Sequence, residues 1–285
     1  MTERLQVDRP ERLIAFLRRQ LPDWKRKTLE QRVQSGCVSV NGRPVTRNDP
    51  LAVGDEVLVG DPGLSPRDPP RGLEVLYEDE DLIAVHKPAG LLSVSTEIEK
   101  ERTALALVRE WLSRPRRPAG LWPVHRLDRE TSGVLLFSKS REAQATVQER
   151  WAEARKLYLA LVEGRPLPAQ GVVDRPLFED ASLTVRVGEH PDARPARTRY
   201  STLRELGRAT LLEVELDTGR RHQIRAHLAW LGHPVLGDGR YGTKGPTLGL
   251  HARRLEVLHP RHGGRICIET PPPGAFEALV RASTR

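Results

Sequence analysis

The 285-residue chain has only two cysteines, Cys37 and Cys267, far apart and outside any CxxC spacing. That argues against a disulfide framework and a thiolate metal site. Long apolar runs are missing too: stretches such as VLLF at Val134–Phe137 are far too short to span a bilayer. The opening MTERLQVDRPERL has no apolar signal core, so a reducing cytoplasm is the expected compartment. No internal repeat or low-complexity tract is present. Acidic charge is in deficit: 46 Lys and Arg against 38 Asp and Glu leave a net charge of +8, and Arg greatly outnumbers Lys. An Arg-rich excess favours a polyanionic partner, because guanidinium forks fit phosphate oxygens. A GC-rich genome that writes Arg for Lys accounts for the same composition. The 38% hydrophobic content is modest but enough for a real core.

The stretch DPGLSPRDPPRG (Asp61–Gly72) is rich in Pro and Gly and reads as a linker. It divides the chain into a small module (1–60), the linker (61–72) and a large domain (73–285). In the module, Leu13, Leu17 and Leu21 recur at helical spacing with Ile14 beside them. Pro22-Asp23 ends that helix, and Asp23 is placed to cap the next. The second helix, through Leu29 and Val33, carries Lys25, Arg26, Lys27 and Arg32 and stops at Gly36. CVSVNGRPV then reads as a hairpin about Asn41-Gly42, and VGDEVLV as a further strand. This module resembles the S-four-type RNA-binding domain over Pro10–Val59, which implies RNA contact by the second helix and the strand edge. A solvated basic helix is the plainer alternative.

In the large domain, LEVLYEDEDLIAVHKPAGLL reads as two strands about an acidic turn, and TALALVREWL as a helix capped near Thr103. GVLLFSKS and LYLALVEG are strands flanking the helix REAQATVQERWAEA; LLEVELDTG is a strand, and HQIRAHLAWLG a helix ending at Gly232. Strands outnumber helices and are often joined by hairpin-length turns. The expected class is α+β, a large mixed and mostly antiparallel sheet with a small N-terminal α/β domain.

Three stretches carry candidate chemistry. In HRLDRETSG (His125–Gly133) a carboxylate, Asp128, lies between Arg126 and Arg129 ahead of a tight turn. Neighbouring cations favour the charged form, which suits a nucleophile or base; a capped surface turn is the alternative. In RKLYLALVEG, alternation puts Lys156 and Tyr158 on one strand face, where the Tyr would stack on a nucleobase; a half-buried strand Tyr is the alternative. TGRRHQIRAHLAWLGHPVLGDGRYG gathers Arg220, Arg221, His222, Arg225 and His227 about a helix start. Arg221 and Arg225 share a face at i, i+4, as do Gln223 and His227. A metal set of His222, His227 and His233 lacks ligand spacing, and an anion site at the helix N-terminus is better supported.

Together these stretches, in this order, with HKPAGL at His86–Leu91 and LHARRL at Leu250–Leu255, resemble the RluA-type RNA pseudouridine synthases of the ribosomal large subunit over nearly all of Leu73–Arg285. The resemblance implies that Asp128 is the catalytic carboxylate, that Tyr158 lies against the target base and that Arg225 pairs with Asp128. It assigns Arg126 to drawing the target nucleotide from the stack, and His125, Lys156, Arg220, Arg221 and His222 join it as expected substrate contacts. Uridine must be flipped out before its glycosidic bond is reachable. Asp128 then attacks the anomeric carbon or removes a neighbouring ribose proton, and the freed uracil reattaches through ring carbon five, with Tyr158 assisting the last proton loss. Neither a nucleotide cofactor nor a metal is expected. The expected partner is RNA, ribosomal with transfer RNA open, and the expected state is a monomer. Two stretches depart from the family pattern, Ser93-Val94-Ser95-Thr96 and GEHPDARPARTRY, and both are expected to face RNA. A catalytically silent RNA binder has no need of Asp128 among arginines. A methyltransferase with the same module would need a Gly-rich loop after a strand.

Overall fold

The computed structural model describes residues 3–22, 24, 26–34, 38–45, 47–59, 72–97, 99–113 and 118–284. The chain forms two compact units, one of Met1–Asp68 with the short stretch Glu78–Glu80 and one of Pro69–Tyr77 with Asp81–Arg285. The expected linker, apart from Gly72, lies outside the described residues, as do Asp23, Lys25, Gly36 and Cys37.

The first unit runs β1 (Glu3–Gln6), β2 (Glu11–Arg12), α1 (Leu13–Gln20), α2 (Arg26–Gln34), β3 (Val38–Val40), β4 (Arg43–Val45), β5 (Pro50–Leu51) and β6 (Glu56–Val59). Its sheet has the order β1-β6-β3-β4, and β2 pairs with β5. Leu13, Phe16 and Leu17 of α1 pack with Leu29 and Val33 of α2 against Val38, Val57 and Val59. Arg12 gives α1 no side-chain cap; instead Asn48 Oδ1 accepts the Ile14 amide at 2.8 Å. Asn41 and Gly42 both take positive φ (52° and 73°), as a tight β3–β4 turn requires. On α2, Arg26 pairs with Glu30 at 2.7 Å and Arg32 lies 4.1 Å over the Trp24 ring, while Lys27 stays exposed.

The second unit runs β7 (Glu74–Glu78), β8 (Leu82–Lys87), α3 (Ala104–Leu112), β9 (Trp122–Pro123), β10 (Ser132–Ser138), α4 (Arg141–Glu149), β11 (Arg155–Glu163), β12 (Gln170–Asp174), β13 (Leu177–Glu179), β14 (Val185–Val187), β15 (Arg197–Leu206), β16 (Ala209–Leu216), α5 (Gln223–Trp230), β17 (Leu250–Leu258), β18 (Arg265–Glu269) and α6 (Gly274–Ala282). Thr103 caps α3 by accepting the Ala106 amide at 3.1 Å, and the helix expected over 141–154 breaks after Glu149 into a 3-10 turn at Trp151–Glu153. The main sheet has the order β12-β15-β16-β11-β17-β10-β8-β7, with β18 on β17 and β9 on β10. β10 and β17 run parallel; β12-β15-β16-β11-β17 and β10-β8 are antiparallel. The sheet is therefore mixed and mostly antiparallel.

Helices cover both sheet faces, which is why the central strands read as unbroken apolar runs rather than alternating ones. On β10, Leu135 and Phe137 pack with Ala104 and Val108 of α3, whereas Val134 and Leu136 pack with Val147 of α4. On β11, Ala160 and Val162 meet Ile224 and Leu228 of α5, whereas Leu159 and Leu161 meet Phe276 and Val280 of α6.

Candidate active site

Asp128 sits in the turn that leads into β10, closed by the Thr131 amide donating to the Asp128 carbonyl at 3.2 Å. At the second residue of β10, Gly133 has φ +124°, and a Cβ there would lie 2.2 Å from the Ala252 carbonyl oxygen. No side chain fits between β10 and β17 at this crossing, so the TSG sequence is a packing requirement. Ser132 Oγ is hydrogen-bonded to His251 Nδ1 at 2.9 Å.

The HKPAG loop is stitched to the same turn. Lys87 is fully buried, and its ammonium donates to the carbonyls of Pro88 (2.9 Å), Leu91 (2.7 Å) and Arg129 (3.0 Å). Burial pushes its pKa down to about 7, against the pull of Glu130 and Asp128. Arg129, the other flank of Asp128 in sequence, turns away and donates to the Gly90 carbonyl at 3.0 Å. Ser93 is buried and uses one hydroxyl twice, donating to the Leu127 carbonyl (2.8 Å) and accepting the Leu127 amide (3.0 Å). That corrects the expectation that Ser93 faces RNA: it braces the residue before Asp128.

The partner of Asp128 comes from α5. Arg225 Nη1 donates to Asp128 Oδ2 at 3.2 Å, and its Nε and Nη2 form a fork on the two oxygens of Asp238, both at 2.7 Å. Asp238 has no exposed side-chain surface and also accepts the amides of Arg240 (3.0 Å) and Tyr241 (3.3 Å). Burial alone would lower the Arg225 pKa and raise that of Asp238, but their mutual attraction moves both the other way and keeps the pair charged. The Tyr241 ring lies 5.3 Å from the guanidinium carbon, so one face of Arg225 rests on an aromatic. The arginine is held on two sides, with one nitrogen left for Asp128.

Tyr158 packs among residues of two core clusters, one around Ala252 and Leu127 and one around Ala160 and Val214. Burial first, and the Asp128 charge second, push its pKa up, so the phenol stays protonated. Lys156 does not share that surrounding. Its ammonium lies 5.6 Å over the Trp151 ring, with Asp217 and Glu215 as its charged neighbours. The cause is a slip in pairing: Lys156 faces Leu255 and Tyr158 faces Ala252, so β17 carries one extra residue between them. His125 also points elsewhere, stacked on Trp151 at 5.3 Å and accepting the Leu136 amide on Nε2 at 3.1 Å. Lys156 and His125 both lie against Trp151, apart from the Arg225–Asp128 pair.

Arg126 is exposed and makes no hydrogen bond or ion pair with another described residue. Arg220 donates to the Pro195 carbonyl at 3.2 Å and Arg221 pairs with Glu179 at 2.7 Å. Both are exposed and neither reaches Asp128, because α5 begins after them and Arg225 alone turns inward. His222 does reach it, with Nε2 3.9 Å from Asp128 Oδ2. Gln223 and His227 share a partner, Thr198, as their spacing predicts. The three histidines weighed as a metal set go to separate partners: Tyr241 for His222, Thr198 and Arg175 for His227, Glu163 for His233.

With this geometry in view, a family model described as RNA pseudouridylate synthase matches residues 81–230, and one described as the S4 domain matches residues 11–57. Ribosomal large subunit pseudouridine synthase D of Nitrosomonas europaea is 35% identical, over 95% of this chain and 84% of that one. The chain belongs to the RluA family of RNA pseudouridine synthases. Ribosomal large subunit pseudouridine synthase C of Vibrio vulnificus is 32% identical over 95% of this synthase and 92% of that protein. The solved structure of human RNA pseudouridylate synthase domain containing 4 superposes with a TM-score of 0.60 at 25% identity, covering 74% of this synthase and 92% of that chain. The synthase is thus an isomerase with an N-terminal RNA-binding S4 domain.

Lys87, Asp238 and Tyr241 fall in stretches that carry the family resemblance, but nothing in the sequence marks them, or Ser93, as supports of Asp128 and Arg225. GDGRYG (Gly237–Gly242) has the spacing of a phosphate loop, yet Gly237 takes φ +80°, a Cβ there would lie 2.0 Å from the Thr247 carbonyl oxygen, and Asp238 is buried. Behind the site, burial pushes the imidazoles of His125 and His251 down to about 4. Between pH 6.5 and 4 the unfolded chain binds protons that these folded histidines refuse. Stability should therefore fall as pH drops through this window, by up to about 1.4 kcal/mol per pH unit for each histidine. Urea midpoints at pH 6.5 and 5, above the carboxylate range, check this; equal midpoints contradict it.

Proposed function

We propose that the synthase converts uridine to pseudouridine at Asp128, with a structured element of large-subunit ribosomal RNA as substrate. The observation that carries the site assignment is the single carboxylate oxygen of Asp128 addressed by Arg225, itself locked by Asp238. The names of the two bacterial relatives, both large-subunit synthases, support the large-subunit target. The N1–C1′ bond breaks and a C5–C1′ bond forms; C5 loses a proton and N1 gains one. Oxidation state is unchanged, so the balance calls for no cofactor. Arg126, exposed and without a partner among the described residues, is the side chain we assign to take the place of the extruded uridine. Tyr158, held as a neutral phenol, offers the base a stacking face and a hydrogen-bond donor rather than a phenolate base. Arg220 and Arg221 lie on the exposed approach to α5 and suit backbone phosphates.

The protein acts as a monomer in the cytoplasm in this reading. The exposed free thiol of Cys267 agrees with a reducing compartment, and among the described residues no helix is long and apolar enough to cross a membrane. The test is to incubate the protein with transcripts of large-subunit rRNA, small-subunit rRNA and tRNA and map carbodiimide-dependent reverse-transcription stops. A new stop confined to large-subunit rRNA is expected; a stop only in tRNA reassigns the substrate. Charge reversal of α2 (Arg26→Glu with Lys27→Glu) should weaken RNA binding and lower the salt slope by about 0.7–0.9 for each phosphate no longer neutralised. The rate at saturating RNA should not change. An unaltered slope removes that helix from the RNA interface.

A further inference from the structure

His222 is held more elaborately than a surface contact requires. It precedes α5 with φ +51° and ψ +19°, the left-handed region that a residue with a Cβ seldom adopts. Its side chain is only 11% exposed, and both ring nitrogens have a neighbour: Nδ1 lies 3.0 Å from the Tyr241 hydroxyl and Nε2 lies 3.9 Å from Asp128 Oδ2. The Tyr241 oxygen accepts the Val185 amide at 3.1 Å. An amide only donates, so the hydroxyl proton is free to go elsewhere, and among the described residues its one acceptor is His222 Nδ1. A neutral imidazole that accepts at Nδ1 carries its proton at Nε2, the nitrogen directed at Asp128. Burial agrees with the neutral form, outweighing the pull of Asp128, and Arg225, Arg221 and Arg240 oppose a second proton as well.

The two donors near Asp128 address one oxygen. Arg225 Nη1 and His222 Nε2 both approach Oδ2, and Oδ1 has no partner among the described residues. At 3.9 Å the histidine is not yet hydrogen-bonded and needs about 1 Å of closure to become so. The hairpin of β13 and β14 supplies Val185, and it is tied to the same corner by Arg240 Nη1 on the Leu183 carbonyl (3.3 Å) and by Arg221 on Glu179 (2.7 Å). The placement of that hairpin therefore reaches the imidazole through Tyr241.

Resting on the reading of Asp128 as the reacting carboxylate, we propose that His222 is a positioning residue. Its Nε2–H, in a tautomer set by Tyr241 and Val185, closes on Asp128 Oδ2 when RNA fills the site. Oδ2 is then held by two donors, and Oδ1 is the oxygen that acts on the ribose. Losing such a donor costs the chemical step and leaves RNA binding intact.

The test is single-turnover rate at saturating RNA together with the dissociation constant, for His222→Gln, His222→Asn, His222→Phe and Tyr241→Phe in the full chain. A Gln amide nitrogen reaches the place of Nε2 and should keep most of the rate. Asn stops short at the place of Nδ1, and Phe has no donor; each should lose about 10²-fold in rate with the dissociation constant unchanged. Asn is at ease in the left-handed region, so its loss is not one of folding. Tyr241→Phe should reduce the rate less, and nitrogen-15 shifts of His222 should report the Nε2–H tautomer in wild type and a mixture in that variant. Wild-type rates for Asn and Phe, an equal loss in Gln, or a loss confined to the dissociation constant each overturn the proposal. If Asp128→Asn is inactive while these results fail, only the His222 inference falls; if Asp128→Asn turns over, the reading beneath it falls.

Discussion

Asp128→Asn should leave RNA bound and uridine unconverted. The amide has the same shape, and its oxygen can still accept from Arg225 Nη1, which meets a single oxygen of Asp128 at 3.2 Å. The turn is closed by backbone, Thr131 N–H to the Asp128 carbonyl, and braced by Ser93 and Lys87, none of which touches the Asp128 side chain. Fold and RNA affinity should therefore survive. What disappears is the group proposed either to attack C1′ or to remove the C2′ proton, since an amide is neither nucleophile nor base at neutral pH. A loss of about 10⁴-fold or more in single-turnover rate is expected, the scale seen when a reacting group is removed. Filter binding and single-turnover assays on one preparation check both halves. A rate within tenfold of wild type would mean that another group does the chemistry.

Asp238→Ala damages the protein at a different level. It leaves the buried Arg225 with two of its nitrogens facing a void, and it strips the Arg240 and Tyr241 amides of their acceptor. Breaking one side of a buried ion pair costs about 3–5 kcal/mol, and urea unfolding should show a loss on that scale. Turnover should fall as well, because Nη1 is aimed at Asp128 by the fork on Asp238. Pairing the change with a second one separates the two effects. Arg225→Met with Asp238→Leu removes both charges, so much of the stability should return while turnover stays low. A destabilisation below about 1 kcal/mol in Asp238→Ala, well short of that scale, would show that Arg225 is anchored elsewhere.

The central strands are legible because their both-faced apolar runs follow from helices above and below the sheet, as at Leu135 and Val134 on β10. The Asp128 turn is legible because Gly133 answers a close strand crossing that no other residue survives. Asp238 falls in a stretch that carries the resemblance, but its pairing with Arg225 is not legible, because it depends on the chain after α5 folding back. Lys156 misleads for a related reason. Alternation describes a strand's own faces, but the extra residue in β17 decides what each face meets, and that residue belongs to another strand. Ser93 reads as RNA-facing because its stretch departs from the family pattern, yet its hydroxyl closes on Leu127, 34 residues away.

Release of hydrogen from ring carbon five tests the central claim most directly, because isomerisation at Asp128 cannot finish without it. Large-subunit rRNA transcribed with uridine tritiated at carbon five should release one tritium to water for each pseudouridine formed with the wild-type protein, and none above background with Asp128→Asn. Release at the wild-type rate by Asp128→Asn, or none from the wild type on any of the three RNA classes, would contradict the account.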